Sequence, residues 1–312
     1  MPTLPTFDHL LPSPADPRLA AIRERIVRVL QSQGEILPSA NSPRGRLWHL
    51  VNSPNSTLDD CEEVIKLDTA LSARILRVAN SGAYGRDAEN VSQAMLRLGL
   101  KFVREQVFNA AVFRQYSGWV LPPEWDLFWL RNIFVARLTE NLASAYGPTN
   151  GTEYLAGLLH DIGWLFLASY APEEFTQICT GDRPPAQAER ELLPFGHAAV
   201  AAAIAARSLV APRVVEAILQ HHDEALPGIE LPLQESAGFL AVVLRIADRV
   251  ADGCTLRIFN PTVATLDEIQ QGPEAQWLEN FGPMPKLAPL ASSELYKSQR
   301  LFEAFFSNRQ FN

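Results

Sequence analysis

A chain of 312 residues, 47% of them hydrophobic, can bury a large core as one sizeable or two modest domains, which argues against a disordered chain. A formal net charge of −8 with no run of basic residues argues against a nucleic-acid or anionic-membrane footprint. Cys61, Cys179 and Cys254 lie far apart, so neither a disulfide framework nor a thiolate metal site is indicated.

The start Met1-Pro2-Thr3-Leu4-Pro5 is not basic followed by apolar, and no run approaches the roughly 20 apolar residues of a membrane span, so the expected compartment is the cytoplasm. After a Pro-rich opening, Leu19, Ile22, Ile26, Val29 and Leu30 recur at helical spacing over Arg18 to Gln33, with Gly34 as the stop. A short helix is expected over Gly45 to Val51 and a loop over Asn52 to Ser56. Thr57 followed by Asp60 reads as a capping box opening a helix through Leu67. Asp68 can cap the next helix, Thr69 to Ala79, which stops at Asn80-Ser81-Gly82. Val91 to Phe113 reads as two helices broken near Gly99.

Ser117 to Trp125 is a Gly- and Pro-containing connector, taken as the boundary between two helical halves. Beyond it come Asp126 to Tyr146, a helix carrying His160-Asp161, a break at Thr180 to Pro185, Phe195 to Leu209, Pro212 to His222, and Ser236 to Ala251, ending before Gly253. No strand pattern competes, and there is no internal repeat. From Cys254 onward the chain reads as irregular turns with a final helix near Ser293 to Phe306. Its Trp277, Phe281, Leu295, Tyr296, Phe302, Phe305 and Phe306 are too apolar for a free tail, so it is expected to pack back. The resulting division is an N-terminal extension, 1–34, a domain, 35–253, with lobes 35–116 and 117–253, and a C-terminal extension, 254–312.

His160 and Asp161 sit inside the apolar run Gly157 to Leu167, which no Pro breaks. If the run is helical, imidazole and carboxylate are carried into a core, where they need hydrogen bonds or a metal. A neutral imidazole with a carboxylate is a common ligand set for Zn, Mn or Fe.

Three motifs occur in order: Leu67-Asp68-Thr69-Ala70-Leu71-Ser72-Ala73-Arg74-Ile75-Leu76-Arg77-Val78-Ala79-Asn80-Ser81, then Leu96-Arg97-Leu98-Gly99-Leu100, then His160-Asp161-Ile162-Gly163. Together they resemble the HDOD family, the HD-related output domains of bacterial signalling proteins, over about Leu37 to Gly253. The resemblance implies an all-α, two-lobed domain whose second lobe is an HD-phosphohydrolase-like bundle, used in regulation or scaffolding. In HD hydrolases, His and Asp side chains hold one or two divalent metals that turn a bound water into a nucleophile. By resemblance to relatives that cleave cyclic di-GMP, Asp161 would bridge, His197, His221 and His222 would hold one metal, and His160 with Asp248 the other.

The sequence departs from that pattern at three places. Where the family's first His ligand is expected, one helix before His160-Asp161, the chain reads Arg131, and no His lies between His49 and His160. A guanidinium has no lone pair for a metal and would instead pair with Asp161 or Asp248. Trp164 stands where those phosphodiesterases read Lys, and Gly-Tyr-Pro does not follow His221-His222.

Plainer roles stay open for every candidate. His160 and Asp161 could be a packed hydrogen-bonded pair. His197 could cap a helix or face solvent, and His221 and His222 could sit on the surface at a helix C-terminus. Asp248 could form an exposed salt bridge, or meet Arg131 or His160. Asn80 and Ser81 read as a helix cap, and Phe128, Trp129, Phe134, Trp164 and Phe166 as core.

Three functions follow from these residues. The first is a non-catalytic HDOD module in bacterial signal transduction, working through a protein partner around a vestigial site of Arg131, His160, Asp161 and Asp248, with no cofactor expected. The second is a metal-dependent phosphohydrolase on nucleotides or cyclic dinucleotides, with Mn, Fe or Zn on His160, Asp161, His197, His221, His222 and Asp248. The third is a nucleotide sensor without hydrolysis, with Arg131 clamping phosphate. No nucleic-acid or membrane partner is expected.

Overall fold

The computed structural model describes residues 9–32, 50, 53, 56–66, 68–80, 88–115, 125–180, 185–193, 195–207, 210–223, 225–258 and 264–306. The fold is all-α: every regular element among these residues is a helix. The expected stop at Gly34, the helix over Gly45 to Val51, the loop at Asn52 to Ser56, the stop at Ser81-Gly82, the connector from Ser117 and the break at Gly181 to Pro184 fall wholly or largely outside the described residues. So do the side chains of Phe305 and Phe306.

Two compact units emerge. The smaller comprises Leu37–Pro122, Asn150–Thr152 and Leu295–Asn312. In it α2 (Leu58–Ile65) and α3 (Thr69–Ala79) pack on α4 (Val91–Gln115). The Thr57 and Asp60 box forms as read: the Thr57 amide donates to Asp60 Oδ2 at 2.9 Å, and the Asp60 amide donates to Thr57 Oγ1 at 3.3 Å. The Leu71 amide donates to Asp68 Oδ1 at 3.1 Å, so Asp68 caps α3. Gly99, at φ 79° and ψ 160°, breaks α4 where the break was expected. Asn80 does more than end a helix, because its side chain exchanges two hydrogen bonds with the backbone of Ala88.

The larger unit comprises Met1–Ile36, Pro123–Thr149 and Glu153–Glu294. It contains α1 (Pro17–Ser32), α5 (Trp125–Ser144), all but the first residue of α6 (Thr152–Leu159), α7 (Gly163–Tyr170), α8 (Pro172–Thr180), α9 (Pro185–Leu192), α10 (His197–Arg207), α11 (Pro212–Gln220) and α12 (Ala237–Gly253), then α13 (Leu266–Gln270), α14 (Pro273–Leu278) and, up to Glu294, α15 (Leu287–Phe306). Helix α12 is buried along nearly all its length and lies against α5 and α11. Helix α10 meets α7 and α11, and its buried Ala199, Ala201, Ala202, Ala203 and Ala205 keep side-chain bulk out of those contacts. Pro212 sits at the start of α11, where its missing N–H has no consequence.

Three expectations are corrected. His160 and Asp161 are not in a helix interior: α6 stops at Leu159, and a tight turn, closed by the Ile162 amide donating to the Leu159 carbonyl at 3.0 Å, leads into α7. Gly253 is the last residue of α12, which is capped by Cys254 rather than ending before the glycine. The region after Cys254 is largely helical. Thr265 and Glu268 form a reciprocal capping box opening α13, Pro273 begins α14, and both helices pack on α12. Trp277 is buried, whereas Tyr296 is exposed.

Gly157 on α6 has α5 backbone where a side chain would go: a Cβ there would lie 2.5 Å from the Ala136 Cα. In an isolated helix Gly→Ala would stabilise by about 1 kcal/mol, but overpacking of this kind costs about 1–3 kcal/mol. Gly157→Ala is therefore expected to lower the urea midpoint. A raised midpoint would show that α5 and α6 do not approach so closely.

Candidate metal centre

Within the larger unit, five segments bring Arg131, His160, Asp161, His197, His221, His222 and Asp248 together. These segments are α5, the α6–α7 turn, the start of α10, the end of α11, and α12. Gly163 makes the turn possible beside α10, since a Cβ there would lie 2.0 Å from the His197 carbonyl oxygen. Solvent-facing readings of His197 and His221 are overturned, as the two are 1% and 0% exposed; His222 is half-buried. The exposed-salt-bridge reading of Asp248 gives way to a buried contact with both Arg131 and His160.

One side of the cluster is an arginine among carboxylates. Arg131, 5% exposed, donates from Nη2 to Asp248 Oδ1 at 2.5 Å and from Nη1 to Asp252 Oδ1 at 2.7 Å and to the Leu256 carbonyl at 2.9 Å. Its Nε lies 3.5 Å from Asp161 Oδ2. Burial works against the guanidinium's charge, but Asp248, Asp252 and Asp161 outweigh it and hold the proton more firmly. Burial also raises the carboxyl groups. Arg131 and His160 bring Asp248 well below the usual carboxylate range, while Asp252, with less of that charge, is pushed up to about 6. Asp252 was not singled out from the sequence, although its place four residues after Asp248 puts it on the same helix face.

The other side is a set of imidazoles whose outer nitrogens are already committed. His160 Nδ1 donates to the Gly157 carbonyl at 2.7 Å, and His221 Nδ1 donates to the Ile218 carbonyl at 2.6 Å. His197 Nδ1 donates to Glu189 Oε2 at 2.7 Å. In the neutral ring each of these bonds leaves the lone pair on Nε2. Those Nε2 atoms converge. His160 Nε2 lies 3.1 Å from Asp248 Oδ1 and 3.2 Å from Asp161 Oδ2, while His197 Nε2 lies 3.2 Å from Asp161 Oδ1 and 3.1 Å from His222 Nε2. His221 Nε2, 4.0 Å from Asp161 Oδ1, has no hydrogen-bond partner among the described residues. Trp164 stacks flat on His197, with ring centroids 4.3 Å apart. Glu189 was also missed in the sequence, because it reaches the ring from another helix and leaves no local pattern.

The residues fit a divalent ion on this second side. Ligand atoms of Asp161, His197, His221 and His222 lie within 4.8 Å of one another, as do those of a second group, His160, His221 and Asp248. A buried imidazole lone pair without a donor is costly unless a cation fills the space. Three imidazoles and a carboxylate suit Zn, Mn or Fe. Without a metal, protons supply the charge: burial opposes it, yet Asp161 and Asp248 push His160 up to about 9, and Glu189 and Asp161 push His197 up to about 10. Burial and neighbouring imidazoles hold His221 well below its usual value and lower His222 to about 4.

A family model described as HDOD domain matches residues 37–224. An HDOD domain protein of unknown function from Geobacter sulfurreducens is similar in structure, with 25% identity and a TM-score of 0.70, covering 95% of this chain and 99% of that one. Two Shewanella amazonensis structures share the fold, one described as a candidate phosphohydrolase (24% identity, TM-score 0.63, 90% and 97% coverage) and one as a candidate metal-dependent phosphohydrolase (24%, 0.57, 91% and 100%). An uncharacterised protein of Treponema pallidum is 25% identical over 238 residues, and the chain spans 44% of that relative's length. No helix among the described residues is long and apolar enough to cross a membrane.

Because His160 and His197 have raised values, their protons stabilise the metal-free fold fully below the unfolded histidine value near 6.5. That stabilisation is lost as pH rises through about 9 to 10. Zinc binding at pH 8 is therefore expected to expel about one proton or more per ion, read by calorimetry in buffers of different ionisation heat. Equal heats in both buffers would show that the imidazoles were already neutral.

Proposed function

The chain belongs to the HDOD family, and we propose that it is a non-catalytic regulatory module of bacterial signal transduction that works through contacts with a protein partner. The observation that carries this reading is Arg131, bound at once to Asp248, Asp252 and Asp161. A fixed positive charge among those carboxylates opposes a cation beside His160 and Asp248, so two-metal phosphoester chemistry has lost one of its seats. Phosphate clamping by Arg131 is also disfavoured, because its donors are spent on carboxylates and a carbonyl.

What is left is one seat, formed by Asp161, His197, His221 and His222. Four protein ligands would close a tetrahedral zinc site, the arrangement of structural rather than catalytic zinc. An ion there would tie the α6–α7 turn to α10 and α11. The segment after the double His offers apolar surface to a partner, with Ile229 and Leu231 59% and 75% exposed.

The same four ligands favour a second reading, a one-metal phosphohydrolase. There an ion with more than four coordination positions would lower the pKa of a bound water.

Protein loaded with Mn, Fe or Zn is expected to carry about one ion and to leave cyclic dinucleotides and nucleotide esters uncleaved, by elemental analysis and chromatography. Turnover abolished by Asp161→Asn would overturn the regulatory reading. Arg131→His, which removes the guanidinium and adds a lone pair, is expected to raise the metal content toward about two. Arg131→Met, which strands buried carboxylates, should cost about 3–5 kcal/mol near neutral pH and less in acid, as denaturant titrations at each pH would read.

A further inference from the structure

Glu189 on α9 uses both oxygens on a single residue of another helix. Oε1 accepts the backbone N–H of His197 at 2.7 Å, and Oε2 accepts its Nδ1–H, also at 2.7 Å. The carboxylate is 4% exposed. Its approach depends on Gly196, because a Cβ at that position would stand 2.8 Å from Oε2. Trp164 covers the face of the same ring with an interplanar angle of 14°. The His197 ring is thus held at its outer edge and on one face, while Nε2 is left facing Asp161 and His222.

We propose that Glu189 is a positioning residue for the metal seat: with Gly196 and Trp164 it sets the tautomer and plane of His197, so that Nε2 presents its lone pair to a divalent cation. This rests on the reading of Asp161, His197, His221 and His222 as the seat. A carboxylate behind a ligating imidazole makes the ring a better donor and fixes its direction. A simple cap for α10 would need only the bond to the backbone N–H. The second bond, to Nδ1–H, adds nothing to capping and constrains only the ring.

Glu189→Gln separates the two roles. Its amide has one oxygen and one NH2, so it can still cap the helix, but it meets the second donor of His197 with a donor of its own. Two measurements read the outcome: zinc affinity by competition with a chromophoric chelator, and the protected His197 Nδ1–H signal in 1H–15N spectra of the metal-free protein. The variant is expected to lose that signal and to bind zinc about 10–100-fold more weakly. Gly196→Ala keeps the carboxylate but pushes it aside, and is expected to move both readouts in the same direction, which covers a Glu189→Gln protein that fails to fold. Wild-type affinity and an unchanged Nδ1–H signal in a folded variant would overturn the proposal and reduce Glu189 to a cap. If the wild type binds no zinc, the metal reading and the proposal's role for Glu189 fall together. The ring signal alone then shows whether Glu189 orients His197 for some other purpose.

Discussion

A guanidinium sealed among three carboxylates is the constraint on which the larger helical unit depends. Removing one arginine and several aspartates from water is unfavourable for each alone, and becomes tolerable only because every charge meets an opposite one at hydrogen-bonding distance. The partners come from separate segments. Arg131 rides on α5, Asp161 on the α6–α7 turn, Asp248 and Asp252 on α12, and the Leu256 carbonyl lies just beyond it. The electrostatics therefore specify how these segments meet, as well as contributing to stability.

Asp161 joins this locked side to an adaptable one. One oxygen faces Arg131 and His160, and the other faces His197 and His221. On the Arg131 side the positive charge is permanent. On the imidazole side it can be supplied by protons or by a metal, which compete for the same Nε2 lone pairs. Hydrogen bonds at Nδ1 to Gly157, Ile218 and Glu189 keep those lone pairs aimed inward. The cluster thus holds one cation as a side chain, Arg131, beside a group of imidazoles and a carboxylate that could hold another.

Several features set by local contacts are readable in the sequence. The Thr57 and Asp60 box, the cap at Asp68, the break at Gly99 and the proline start of α11 each depend on residues within a few positions of one another. The same kind of signal is present at Thr265 and Glu268, yet the turn-rich surroundings hide it, so between Cys254 and the final helix the sequence reads as irregular. The His160-Asp161 stretch misled for the opposite reason. Its unbroken apolar run suggested one helix, whereas the chain bends there to bring two polar groups inward and to let Gly163 pass close to the His197 carbonyl. Periodicity reports burial, and a turn buried on every side looks the same as a buried helix.

By itself the sequence determined the helical class, the order of motifs, and the presence of Arg131 where the HDOD resemblance leads one to expect an imidazole, because these depend on residue identity and short-range spacing. Only the tertiary structure decided that His197 and His221 lie inside rather than at the surface, that Asp252 shares the guanidinium, and that Glu189 reaches across from α9 to hold a ring. These are contacts between different helices, some far apart in the chain, as for Arg131 and Asp252, and some on neighbouring helices, as for Glu189 and His197. Such contacts arise when helices bury their apolar faces and the polar groups carried in with them must find partners, and no short window of sequence records which partners they find.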